Sequence, residues 1–179
     1  MSTNTSATET EPAASGVQIH SIGHSDHTSE VFLDLLRRYR VTVLVDVRSQ
    51  PYSQWAPQFN RESLSRDLEA TGIHYIFMGD SLGGRPADRA FYDADQERPD
   101  YERLAQSQAY QAGIEELLKL AQVEHVTMMC SEGDYRHCHR AKLITPTLQE
   151  RGARVFHIRP DGTEVEAQPE ARQLGLPLF

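Results

Sequence analysis

The residues best suited to chemistry are crowded into one stretch, Cys130-Ser-Glu-Gly-Asp-Tyr-Arg-His-Cys-His-Arg140. It holds the only two cysteines of the 179-residue chain. Two cysteines are too few for a secreted disulfide scaffold and suit a reducing compartment, so a chemical role outweighs a structural one. Three chemistries fit these residue types. A thiol at the end of a buried strand, followed by a helix start, sits among backbone N–H groups and the positive end of a dipole, which lowers its pKa and attracts anions. A metal could be held by Cys130, Cys138, His139 and His24, though neighbouring helical positions such as Cys138 and His139 do not face the same way, so one ion bound by both needs an irregular helix start. General acid/base work could fall to Glu132, Asp46 and His139, with Arg48 and Arg140 gripping an anionic substrate and the cysteines merely packed. A divalent metal is compatible with these residues but not required by them. Cys130 and Arg136 have the spacing of a cysteine-phosphatase loop, yet Glu132 and Asp134 inside it would repel a phosphate dianion.

Something must bring these residues together. Short apolar runs at 17–22, 41–47, 73–78, 125–130 and 154–158 read as strands. Between them, Val31, Phe32, Leu35, Leu36 and Tyr39 recur at helical spacing after the cap Thr28, and Leu64 and Leu68 follow the cap Asn60 until Gly72. Further helices fit near 101–121 and 138–151, the last containing Pro146, which should kink or break it. Strands alternating with helices imply an α/β, Rossmann-like three-layer domain with a mainly parallel sheet of about five strands and helices on both faces. In such sheets ligands bind beyond the carboxyl ends of the strands. His24 and Ser25 after the first strand, Asp46 to Arg48 at the second, Gly79-Asp80 after the third and Cys130 at the fourth should therefore converge. The irregular segments 48–59 and 79–100 leave the same edge as candidate lids; Tyr52, Trp55 and Phe59 in the first could stack on a base, although packing onto the domain is the commoner use. Asn60 closes that segment as a candidate substrate-binding residue.

Several stretches together resemble domain of unknown function family 488: Ile19-His-Ser-Ile-Gly-His-Ser25, Leu44-Val-Asp-Val-Arg48, Phe59-Asn60, Gly72-Ile73, Leu82-Gly-Gly84 and Cys130-x-Glu-x5-Cys-His-Arg140. The resemblance spans roughly residues 18–158 and implies a fold and a site more than a reaction. The strand, cysteine loop and helix also resemble rhodanese-like and cysteine-phosphatase loops, which would imply sulfur or group transfer through Cys130.

Outside this core the chain reads differently. Residues 1–16 are rich in Ser, Thr, Ala, Glu and Pro and read as a disordered leader, 17–159 as one α/β domain, and 160–179 as a flexible polar tail. The tail ends in Gln173-Leu-Gly-Leu-Pro-Leu-Phe179, which resembles the peptide by which bacterial DNA polymerases and repair proteins bind the sliding clamp. Gln173, Leu174, Leu176, Leu178 and Phe179 occupy the specified positions: an amide for a pocket rim, then apolar side chains for a groove, with Pro177 reducing the ordering cost. A tail folded back on its own domain is the alternative.

The formal charge is −8, of which residues 17–158 carry 20 acids against 16 bases. That balance argues against a sequence-independent nucleic-acid coat. No apolar run approaches the roughly 18 residues of a membrane span and no signal peptide is visible, so a cytoplasmic protein with no membrane partner is expected. The combined reading is an enzyme-like domain brought to DNA by the DNA polymerase sliding clamp and acting on a nucleotide, base or phosphate-bearing DNA substrate. The alternatives are a free-standing thiol enzyme and a non-catalytic anion- or metal-binding adaptor.

Overall fold

In a computed structural model, described here over residues 16–169, six strands form one sheet in the order β3-β2-β4-β1-β5-β6. The strands are β1 Gln18–Gly23, β2 Val43–Asp46, β3 His74–Phe77, β4 Val126–Cys130, β5 Arg154–Ile158 and β6 Glu164–Glu166. All neighbours pair parallel except β5 and β6. The helices are α1 Ser29–Arg38, α2 Arg61–Glu69, α3 Gly79–Leu82, α4 Tyr101–Ala105, α5 Gln108–Ala121 and α6 Thr145–Glu150.

Alternation along the strands divides the core in two. Ile19, Val43, Val45, Val126, Met128 and Val155 pack with Tyr110, Ile114 and Leu117 of α5 and Leu148 of α6. Ile22, Leu44, Met129 and Ile158 pack on the other face with Phe32 and Leu36 of α1 and Leu64 and Leu68 of α2. Successive strand residues point to opposite faces, so these two sets make the layered α/β arrangement expected from the sequence. Thr28 caps α1, its hydroxyl accepting from the Val31 amide at 3.3 Å.

The structure departs from the expected elements in four places. The expected helix over 101–121 is two, because Ser107 caps α5 afresh by accepting from the Tyr110 amide. Asn60 stands at the start of α2 but turns its carboxamide to the Ser53 amide at 2.7 Å, so it ties down the 48–59 segment instead of capping the helix.

The third departure follows β5. The polar stretch after Pro160, expected to be a tether, turns at Gly162 with φ +81° and adds β6. Arg154 of β5 holds Glu166 of β6 through two N–H···O bonds of 2.7 and 2.9 Å. The domain therefore extends past residue 159.

The fourth is the helix expected over 138–151, which is interrupted next to Pro146 as its proline predicts. Arg140–Ile144 forms a wider π-helical turn and α6 begins at Thr145, with Pro146 in its first turn. A proline has no N–H to give an interior helix bond. The wide turn moves it to a helix start, and the Thr145 and Thr147 hydroxyls donate to the carbonyls of Arg140 and Leu143.

Candidate functional site

Strand β4 lies inside the sheet between β2 and β1, and ends at Cys130. The chain leaves β2 toward one edge and β4 toward the other, so their carboxyl ends flank the place where ligands bind in sheets of this kind. Beyond Cys130 the chain stays beside β1, the His24 amide donating to the Cys130 carbonyl and the Ser25 amide to the Ser131 carbonyl. Gly23 permits this approach, since a Cβ there would lie 1.8 Å from the Glu132 carbonyl oxygen.

A single 3-10 turn over Tyr135–His137 then returns the chain to the sheet. Cys138 follows in extended conformation, with φ −111° and ψ 150°, and only at His139 does the backbone become helical. The regular helix that would turn Cys138 and His139 apart does not exist. Both side chains are buried and face Cys130: its sulfur lies 3.8 Å from His139 Nδ1, and the Cys138 sulfur 3.6 Å from the same nitrogen. The three candidate ligand atoms all lie within 4.8 Å of one another.

His139 Nε2 lies 3.0 Å from the Val47 carbonyl oxygen, which can only accept. Nε2 therefore carries a proton, and Nδ1 faces the sulfurs. Gly84 packs against the ring so closely that a Cβ would come within 2.6 Å of His139 Cγ. On the other side of the cluster, the fully buried Arg140 donates from Nε to the Cys138 sulfur at 3.3 Å, from NH1 to Ser21 Oγ at 3.3 Å and from NH2 to the Glu132 carbonyl. Ser21 Oγ is in turn 2.7 Å from His157 Nδ1, and Tyr135 stacks on the His157 ring at 4.1 Å.

These contacts set the protonation of the pair. A hydrogen bond from Cys130 pulls the Cys138 thiol down, and His139 and Arg140 act in the same direction. The same bond, with burial, pushes Cys130 upward. Burial also holds His24 and His157 down, each to about 4.

Asp46 shares its face of the sheet with Leu44, opposite the cysteine cluster. Its carboxylate accepts from Arg48 Nε at 2.9 Å, Arg48 NH2 at 2.7 Å and the Tyr75 hydroxyl at 2.7 Å. Arg48 NH2 also donates to the Phe59 carbonyl. Both are buried, so the carboxylate and guanidinium serve each other. His24 falls on this second face: its ring stacks on Phe59 at 4.5 Å, Nδ1 contacts the Ser25 carbonyl, and buried Nε2 has no hydrogen-bond partner among the described residues. It stands outside the Cys130–Cys138–His139 group.

The remaining candidates are spread around the rim. Ser25 adopts φ 49° and donates to Asp26, and the Glu132 side chain is exposed. Arg136, at phosphatase spacing from Cys130, is exposed and engaged by Asp134, so it does not cover the thiol. Of the three lid aromatics, Phe59 is in the core while Tyr52 and Trp55 remain exposed, Trp55 by 87%. Residues Gln173, Leu174, Leu176, Leu178 and Phe179 lie outside the described residues, as does nearly all of the expected leader.

One residue near the cluster escaped the sequence reading. Tyr101 opens α4 and packs against the core group that includes Cys130 and Cys138. Burial raises its phenol, and Cys138 and Cys130 push it the same way. Its only signal in the sequence was a position at the end of the 79–100 segment, which names no partner.

A family model described as domain of unknown function DUF488 matches residues 28–145. No curated protein and no solved structure matches the chain. Among the described residues, no helix is long and apolar enough to cross a membrane.

Proposed function

The chain belongs to the DUF488 family, and on that premise we propose that Cys130, Cys138 and His139 form a zinc centre with an open fourth position. The carrying observation is the spacing of the ligand atoms. Zinc bonds of roughly 2.3 Å to sulfur and 2.0–2.1 Å to nitrogen, at tetrahedral angles, put sulfur and nitrogen about 3.6 Å apart. The two S···N distances here are 3.6 and 3.8 Å. Two sulfurs and an imidazole are ligands that suit zinc. A backbone carbonyl fixing the other ring nitrogen, as Val47 does for His139, is the usual outer support of a metal-bound histidine. Arg140 completes that support from the sulfur side.

Three protein ligands and an open position are the arrangement of catalytic rather than closed structural zinc sites. Zinc so held polarises a bound water or a substrate oxygen. The domain is therefore read as a metal-dependent enzyme acting on a nucleotide, base or phosphate-bearing substrate at the carboxyl edge of the sheet. Metal analysis of protein purified without chelators, and after exposure to excess zinc, tests the centre. One zinc per chain is expected, reduced by at least tenfold in affinity in Cys138→Ser. No zinc in the wild-type protein under either condition would sink the reading.

Recruitment by the sliding clamp is a separate proposal and rests on Gln173-Leu-Gly-Leu-Pro-Leu-Phe179. Tethering would supply high local concentration at DNA without a basic surface, which suits the charge of −8. Binding of a purified bacterial clamp to the full chain, compared with a version lacking residues 173–179, decides it. Equal binding, or none by either, counts against it.

A further inference from the structure

The segment between α3 and α4 touches the cysteine–histidine cluster where Gly84 packs on the His139 ring. Gly83 and Gly84 leave no room for side chains, the first against Ser49 and the second against the His139 ring, where a Cβ would lie 2.9 Å from Nδ1. Arg85 comes next. Its amide donates to Ser49 Oγ at 2.9 Å, which anchors its backbone beside the cluster. Its exposed guanidinium makes no hydrogen bond or ion pair with another described residue.

The segment comes back to the cluster at Tyr101. This half-buried ring packs on the core group containing both cysteines, and its hydroxyl has no hydrogen-bond partner among the described residues. By contrast, Arg48 and Arg140, the arginines expected from the sequence to grip an anion, are buried and held by protein partners. Near the cluster, a cation and a hydroxyl donor are thus left without a partner among the described residues.

We propose that Arg85 and Tyr101 form an oxyanion-binding wall over the open position of the Cys130–Cys138–His139 centre, so that the ligand entering there carries a phosphate or carboxylate group. A guanidinium can hold two oxygens of such a group, and a phenol a further one. This inference rests on the metal reading, because the oxyanion would approach the ion while the wall receives its remaining oxygens.

The test uses the full chain loaded with cobalt(II), whose visible absorption reports its ligands. Wild type, Arg85→Gln, Tyr101→Phe and the double variant are titrated with inorganic phosphate and, separately, with acetate. All four are expected to bind one cobalt with the same starting spectrum. Phosphate, acetate or both should change the wild-type spectrum, and the responding anion identifies the ligand group. Each single variant should weaken that binding about tenfold or more, as expected for a lost hydrogen bond to a charged group. One bound cobalt with no response to either anion, or variants that bind as tightly as wild type, overturns the wall and leaves the metal centre standing. Failure of the wild-type protein to bind cobalt overturns both.

Discussion

At the scale of single residues, the two polar centres at the sheet edge differ in how completely their groups are used. Asp46 and Arg48 are a closed pair, bonded to one another twice through their side chains and otherwise to Tyr75 and Phe59. Removing one member leaves the other charge buried without compensation. Asp46→Ala is expected to lower unfolding free energy by about 3–5 kcal/mol in chemical denaturation. Adding Arg48→Met should recover part of that loss, because the stranded cation goes with it. A single variant as stable as wild type would show that the pair contributes no such constraint. The Cys138 sulfur is used differently: Cys130, His139 and Arg140 all point toward it, and each favours its thiolate form.

Among the elements, the turn from β4 into the π-helical segment decides the site. The 3-10 turn at Tyr135–His137 and the extended Cys138 allow two consecutive side chains to face one strand end. Facing them, Gly84 gives the 83–85 backbone access to the imidazole. A methyl group there would overlap ring atoms that are fixed by the Val47 carbonyl and unable to swing aside. Gly84→Ala should therefore cost about 1–3 kcal/mol of stability, the range for overpacking. It should also weaken zinc binding, measured by competition with a chromophoric chelator, whereas an alanine at exposed Ala87's neighbour Asp88 should leave zinc affinity unchanged. Equal zinc affinity in Gly84→Ala and wild type would contradict the proposed contact.

For the whole molecule, two histidines are buried neutral, His24 on one face of the sheet and His157 on the other. Both have pKa values near 4 in the folded protein, depressed first by burial, with nearby arginines adding to it. The unfolded chain takes up these protons near pH 6.5. Above that pH both states are neutral at these positions and the stability is fully present. As pH falls from about 6.5 toward 4, the unfolded state binds protons that the folded state refuses, and stability is lost. The slope is about 1.4 kcal/mol per pH unit for each histidine within that window. Urea denaturation between pH 6.5 and 5 should show a shallower slope for His157→Gln than for wild type. Identical slopes would mean that His157 takes up its proton at the same pH in the folded and the unfolded chain.

Much of this architecture was legible along the chain. Apolar runs and helical periodicity located five strands and the start of α1 at Thr28, because burial against two layers demands those periods from the residues themselves. The β6 strand was hidden, since an edge strand of Glu164-Val-Glu166 has little to bury, and what holds it is pairing with β5. The cysteine–histidine segment was likewise visible as a concentration of reactive types, and the need for an irregular helix start followed from helix geometry alone. What only the tertiary structure decided was the partnership: Cys130, Cys138 and His139 on one face of the sheet, Asp46, Arg48 and His24 on the other, Val47 setting a tautomer and Tyr101 arriving from α4. Composition and spacing specify which groups a chain owns and how each element hides its apolar side. Distances between groups far apart in sequence are set by strand order and by the exact path of the turns, where backbone hydrogen bonds and close packing, not periodicity, choose the conformation.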